Sequence, residues 1–139
     1  MFHKILNAND GSPNAFKALE VACDLAAKYG AELHLILVEE VPTIPGSISE
    51  VQLVKASEDR HVRANIKRAE TMAARCKLAV RCHVFTGHVV RNVVGFADDN
   101  GFDLLVIGAT GHTALHERML GTRADRICHM AHCPVLLVR

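Results

Sequence analysis

The sequence has no tryptophan, one tyrosine and five phenylalanines, so aromatics make up only 4% of its 139 residues. A core built from this chain must be aliphatic, drawn from Val, Leu, Ile, Ala and Met. Half of the residues are hydrophobic, which is enough to bury a real core. An excess of one charge is missing too: 16 Lys and Arg stand against 15 Asp and Glu, a formal +1. That balance argues against a surface devoted to nucleic acid or to an anionic membrane. The basic residues Arg60, Arg63, Lys67 and Arg68 fall at helical spacing, but Glu58, Asp59 and Glu70 border them, which reads as a solvated helix face. Apolar runs of membrane-spanning length are absent, and no signal sequence precedes Lys4-Ile5-Leu6. The five cysteines are odd in number and form no CxxC pair, so we expect reduced thiols in a cytoplasmic protein.

What is present alternates. The length fits one domain over residues 1–139. Phe2 to Ala8 forms an apolar run ending in the turn residues Asn9-Asp10-Gly11-Ser12-Pro13. Ser12 is an N-cap with Pro13 at the first helical position, and Phe16, Leu19, Cys23 and Ala26 form the inner stripe of a helix stopped at Gly30. Leu33 to Val38 reads as a strand covered on both faces. A long helix over 49–77 follows, with a break expected near Ser57 and Val54, Val62, Ile66, Ala69, Met72 and Ala73 inward. Val80 to Phe85 is the third strand, with Val84 and Phe85 as its firmest core positions. A helix from Val89 to Asn100, a strand at Leu104–Ile107, a short helix from Thr122 to Met130 and a strand from Pro134 to Val138 complete the chain. Strands alternating with helices predict an open parallel sheet with helices on both faces.

Two familiar phosphate signatures are missing: no Walker A lysine follows the glycines, and no GxGxxG follows the first strand. Ligands of open α/β sheets bind beyond the carboxyl ends of the strands, where strand order reverses. Two strand ends are chemically unusual here, Asn9-Asp10-Gly11 after the first strand and Gly108-Ala109-Thr110-Gly111 after the fourth. Gly108, Gly111 and Gly121 permit tight turns and close approach of a ligand to the backbone. Thr122 supplies a hydroxyl and an N-cap, at a helix start that suits phosphate oxygens. Glycine content alone favours plain turns.

The full spacing, G-x2-G-x9-G-[ST] over Gly108, Gly111, Gly121 and Thr122, resembles the nucleotide-binding motif of the universal stress protein family. Lys4-Ile5-Leu6 with Asp10-Gly11-Ser12, Gly87, the strand Asp103 to Gly108 and the closing Cys133 to Val138 extend the resemblance over the whole chain. It implies a Rossmann-like α/β fold, an open five-stranded parallel sheet of order 3-2-1-4-5. It also implies ATP or another adenine nucleotide as ligand. Asp10 would lie near the ribose-phosphate end, directly or through a divalent cation such as Mg2+, which makes Asp10 the candidate metal residue. Val38 would contact adenine, while Gly108, Gly111, Gly121 and Thr122 would contact ribose and phosphates. Ala8 and Asn9 join them at the first strand end, and His112 and Arg123 are further candidates toward an anion. The family commonly dimerises by pairing the last strand, here Val135 to Val138, with its copy, which covers an apolar edge.

Four residues depart from the family pattern. Asn7 and Asn9 occupy positions that are usually apolar or small, where they either contact a ligand or brace the loop as a satisfied polar pair. Arg123 stands where a small apolar residue is frequent, reaching either a phosphate or solvent. Val89 replaces a frequent proline at a helix start, with no functional consequence. Cys128, His129, His132 and Cys133 invite a zinc site, but their i,i+4 pairs lie on two different faces, so buried cysteines and surface histidines are the favoured reading. No nucleophile-base-acid set is apparent, and rapid turnover is not expected. The leading reading is an ATP-binding stress-response regulator acting through a homodimer and an unknown protein partner. The rivals are a slow metal-dependent ATPase or phosphotransferase, and a dimeric interaction module that has lost nucleotide binding.

Overall fold

The computed structural model describes residues 1–40, 48–110 and 119–139, with residues 48–58 given by backbone alone. In chain order the elements are β1 (Lys4–Ala8), α1 (Pro13–Tyr29), β2 (Glu32–Glu39), α2 (Ile48–Arg75), β3 (Val80–Thr86), α3 (Val89–Asp99), β4 (Leu104–Gly108), α4 (Thr122–Met130) and β5 (Val135–Val138). The five strands form one sheet of order β3-β2-β1-β4-β5, all parallel. This is the expected Rossmann-like arrangement.

Side chains alternate across a strand, so one apolar run supplies two cores. Ile5, Leu33, Leu35, Leu37, Leu104 and Val106 pack on the face covered by α1 and α2, against Phe16, Leu19, Cys23, Ala26, Ala69 and Ala73. Leu6, Ile36, Leu105 and Ile107 pack on the opposite face, against Val90, Val93 and Ala97 of α3 and Ala124 and Ile127 of α4. The near-continuous apolar strands follow from this two-sided cover.

Helix ends obey local chemistry. The Ser12 hydroxyl accepts from Ala15 N at 3.2 Å, Pro13 fills the first helical position, and Gly30 closes α1 with φ +64°, a conformation that suits a residue without a Cβ. Helix α2 runs unbroken through Ser57, contrary to the expected interruption. Its predicted inner residues Val62, Ile66 and Met72 pack against the first core, while Val54 lies outside the described side chains. Arg60, Arg63, Lys67 and Arg68 are exposed as expected, and the Arg68 guanidinium lies 4.0 Å from the centre of the Phe16 ring.

One core assignment fails. Val84 is 44% exposed. It belongs to an edge strand with a neighbour on one side only, where strand hydrophobicity overstates burial. Phe85 does turn inward, with its ring 5.3 Å from that of Phe96. The opposite surprise is His34, which is buried within the second face: its ring stacks on His83 at 5.2 Å and meets Phe102 edge-on at 4.9 Å.

Candidate functional site

The helix after β1 lies on one face of the sheet and the helix after β4 on the other. The two neighbouring strand ends therefore diverge, and a crevice opens between them. Here it is a cavity of about 350 Å³. Ala8, Asn9 and Asp10 border it from β1, Ile36 and Val38 from β2, and Ile107 and Gly108 from β4. Helix α3 adds a wall of Val89, Val90 and Val93, while Gly121, Thr122 and Arg123 enter from the start of α4. Every described candidate from the sequence thus lies on this one cavity; Gly111 and His112 fall outside the described residues.

The polar rim is built by tight local bonding. Gly11 N donates to Asn9 Oδ1 at 2.8 Å and Ser12 N to Asp10 Oδ1 at 2.9 Å, so both side chains fold back on the turn that follows β1. Gly11 has φ +83°, the left-handed region in which a side chain is strained. Asn9 Nδ2 donates to Asn7 Oδ1 at 3.2 Å, and Asn7 Nδ2 donates to the Val106 carbonyl at 3.0 Å. The two buried amides therefore form a satisfied chain that braces the β1 end against β4, and Asn9 also borders the cavity. On the β4 side, Asn14 Nδ2 donates to the Thr110 hydroxyl, tying the first turn of α1 to the same loop.

Gly108, which lines the cavity, also lies against α1. A Cβ there would stand 3.0 Å from the carbonyl carbon and oxygen of Asn14 and 3.2 Å from Ala15 N. A side chain at Gly108 would press on the first turn of α1, whatever ligand the cavity takes. Gly121, and not Thr122, is the N-cap of α4; Thr122 is the first helical residue. Gly121 N donates to the Ala109 carbonyl at 2.8 Å, which pins the start of α4 beside the end of β4. Among the described residues no side chain caps this helix, so its leading N–H groups suit an anion.

Charges ring the mouth. Arg123 is neither buried nor idle: its guanidinium donates to the Glu40 carboxylate, with both side chains about half exposed, at 48% and 60%. The pair spans the cavity edge from the end of β2 to α4. Sequence reasoning missed Glu40, His88 and Arg126, which also line the cavity. The valine wall of α3 was legible as an inner stripe, yet nothing in a helix period says that its first turn faces a cavity. The result is an apolar slot between Val38 and α3, joined to a polar end at Asp10, Thr110 and the start of α4. Such a slot accepts a flat heterocycle, and the polar end accepts hydroxyl and anionic groups.

The zinc reading fails on geometry. His132 Nδ1 lies 2.7 Å from Asp98 and His129 Nε2 3.4 Å from Asp125, so the two rings face separate surface carboxylates. Burial pushes the Cys128 and Cys133 thiols upward. Among the described residues no three His, Cys, Asp or Glu side chains gather as a metal-ligand cluster.

A family model described as the universal stress protein family matches residues 1–139. The chain is 30% identical to a universal stress protein of Methanocaldococcus jannaschii, over 100% of this chain and 83% of that one. It is 33% identical to a universal stress protein of Thermus aquaticus, over 100% of both. Among solved structures, a universal stress protein of Lactobacillus plantarum shares the fold with a TM-score of 0.89 at 21% identity, covering 99% of this chain and 98% of its own. Two further structures share the fold. One is a universal stress protein in complex with cAMP, with TM-score 0.77, 22% identity and coverage of 99% and 97%. The other, from Archaeoglobus fulgidus in complex with dAMP, has TM-score 0.67, 18% identity and coverage of 100% and 98%. Among the described residues of the present chain, no helix is long and apolar enough to cross a membrane.

Proposed function

This chain belongs to the universal stress protein family, and from that premise we propose that it binds an adenine nucleotide, ATP in particular, in the strand-end cavity and acts as a stress-response regulator. The observation that carries the reading is the gathering of Ala8, Asn9, Asp10, Val38, Gly108, Gly121, Thr122 and Arg123 around one cavity of about 350 Å³. That the fold neighbours include complexes with cAMP and dAMP supports an adenine ligand. Adenine would sit in the slot between Val38 and the valines of α3. Ribose would meet the β1 end, and phosphates would meet the N–H groups at the start of α4. Asp10 is the carboxylate that would hold Mg2+ jointly with phosphate oxygens, since Mg2+ is usually bound by one or two carboxylates plus phosphate.

The regulator acts as a homodimer through Val135–Val138. Strand β5 is a sheet edge, and Leu136 on it is 36% exposed. Its setting is the cytoplasm, in keeping with five unpaired thiols. Nucleotide regulates only if it prefers one loop or dimer state, because equal affinity shifts nothing.

The test is a thermal-shift titration of ligand-stripped protein with ATP, ADP and AMP. A saturable rise in melting temperature with at least one of them is expected; no response to any would leave the dimeric interaction module as the reading. Slow metal-dependent hydrolysis, the second reading, rests on Asp10 at the cavity. Phosphate release no faster from the wild type than from Asp10→Ala would remove it.

A further inference from the structure

Away from the strand-end cavity, and sharing no residue with it, a groove runs between α1 and α2. Cys23 of α1 and Cys76, the residue after α2, both line it, alongside Lys67, Arg68, Arg75 and Glu20. Cys23 is buried, 1% exposed, within the first core. Cys76 is half-buried and packs on that same core from the groove side. The two thiols meet at this groove, and Cys76, after burial, helps to hold the Cys23 thiol up. The turn that presents Cys76 is fixed: its N–H donates to the Ala73 carbonyl at 3.0 Å, and Lys77 follows with φ +59°.

A buried cysteine alone is ordinarily a small hydrophobe. Here a second, solvent-reachable thiol stands against it, in a groove where three cationic side chains line the wall against one acidic one. Partly exposed, electropositive surroundings are where thiolates react. We infer that Cys23 and Cys76 form an oxidative modification site, a peroxide-responsive thiol pair that closes to an intramolecular disulfide.

The order of events follows from burial. Cys76, as thiolate, attacks one oxygen of hydrogen peroxide. The O–O bond breaks, the sulfur is oxidised to a sulfenic acid, and the second oxygen leaves as hydroxide and takes up a proton to become water. Cys23 cannot be the first to react, because solvent does not reach it and burial, with Cys76 beside it, pushes its thiol up to about 12. It is the resolving thiol: its sulfur attacks the sulfenic sulfur, the S–O bond breaks, and its proton departs with the hydroxyl as water. One peroxide and two thiols give one disulfide and two waters. The link fastens the end of α2 to the middle of α1. Cys82, Cys128 and Cys133 do not line this groove.

The experiment uses the full reduced chain treated with hydrogen peroxide, alkylated, and digested without reductant. A Cys23–Cys76 cross-linked peptide is expected, reversed by dithiothreitol and missing from Cys76→Ser. In Cys23→Ser, dimedone should trap a sulfenic acid at Cys76. Cross-linked wild type should melt above reduced wild type, because the link constrains the unfolded chain. Both thiols remaining free, oxidation of Cys76 to sulfinic acid without a cross-link, or pairing with another cysteine would each overturn the inference. These outcomes do not depend on nucleotide binding.

Discussion

Asn7 is fully buried in the middle of β1, yet each end of its amide has a partner. Leucine fills a similar volume but offers none, so Asn7→Leu leaves the Val106 carbonyl and the Asn9 amide short of a bond. Urea unfolding should show a loss of about 1–3 kcal/mol, the cost of unsatisfied buried polar groups. His34 poses the same question with a proton. Its Nε2–H faces the Glu32 carboxylate at 3.2 Å, so its Nδ1 accepts from His83 Nε2–H at 2.9 Å. Burial holds both imidazoles below their usual 6.5; His34 adds to the effect on His83, while the Glu32 bond opposes it on His34. The folded chain therefore takes up these protons less readily than the unfolded chain. Stability should be complete above 6.5 and lost as pH falls through the lowered folded values. The Glu32 carboxyl, held low first by its bond to His34, adds a separate loss below 4.5. The urea midpoint should drop as pH is lowered from neutral through that first window, and His83→Gln should flatten the drop. An identical slope in the variant would place the titrating groups elsewhere. At this scale the sequence named Asn7 and Asn9 as residues in need of partners but left open which they had. It was silent on His34, because its partner His83 is set by strand register, which joins residues far apart in the chain, while only Glu32, two residues back on the same strand, lies within local reach.

Elements were more legible, because caps and periods are local. Ser12-Pro13, Gly30, and the stripe Phe16, Leu19, Cys23 and Ala26 all act as their spacing predicts. What was missed falls where neighbours decide. Val84 has strand chemistry but an edge position, and Gly108 borders the cavity while also lying against α1, which its spacing does not reveal. Gly108→Ala should therefore destabilise the protein with no nucleotide present. The cost of forcing a Cβ against a fixed backbone is about 1–3 kcal/mol, measurable as a lower denaturation midpoint. An alanine variant as stable as the wild type would mean that the α1 turn yields freely. The start of α4 carries the other element-scale lesson. A Gly-Thr pair predicts a helix entry, but which residue is the cap depends on dihedral angles, and Gly121 holds the extended conformation at φ −63°, ψ 148°.

For the molecule as a whole, alternating elements determine the layers, and strand order then determines where the ends of β1 and β4 diverge to leave the cavity. The same order leaves β5 at an edge, so a homodimer paired there predicts that Leu136→Lys shifts the sedimentation profile from dimer to monomer while far-ultraviolet circular dichroism is unchanged. A monomeric wild type would place regulation within a single chain. The Glu40–Arg123 pair and the place of Arg126 on the cavity lining were invisible in sequence, since α4 and the end of β2 meet only in the folded sheet. The central claim is that this cavity holds an adenine nucleotide. The most direct measurement is isothermal titration calorimetry of ATP into ligand-stripped wild type and into Gly121→Val, with circular dichroism as the check that the variant folds. The account predicts saturable one-site binding per chain for the wild type and its loss in folded Gly121→Val. Equal heats for both proteins, or no saturable heat with the wild type, would contradict it.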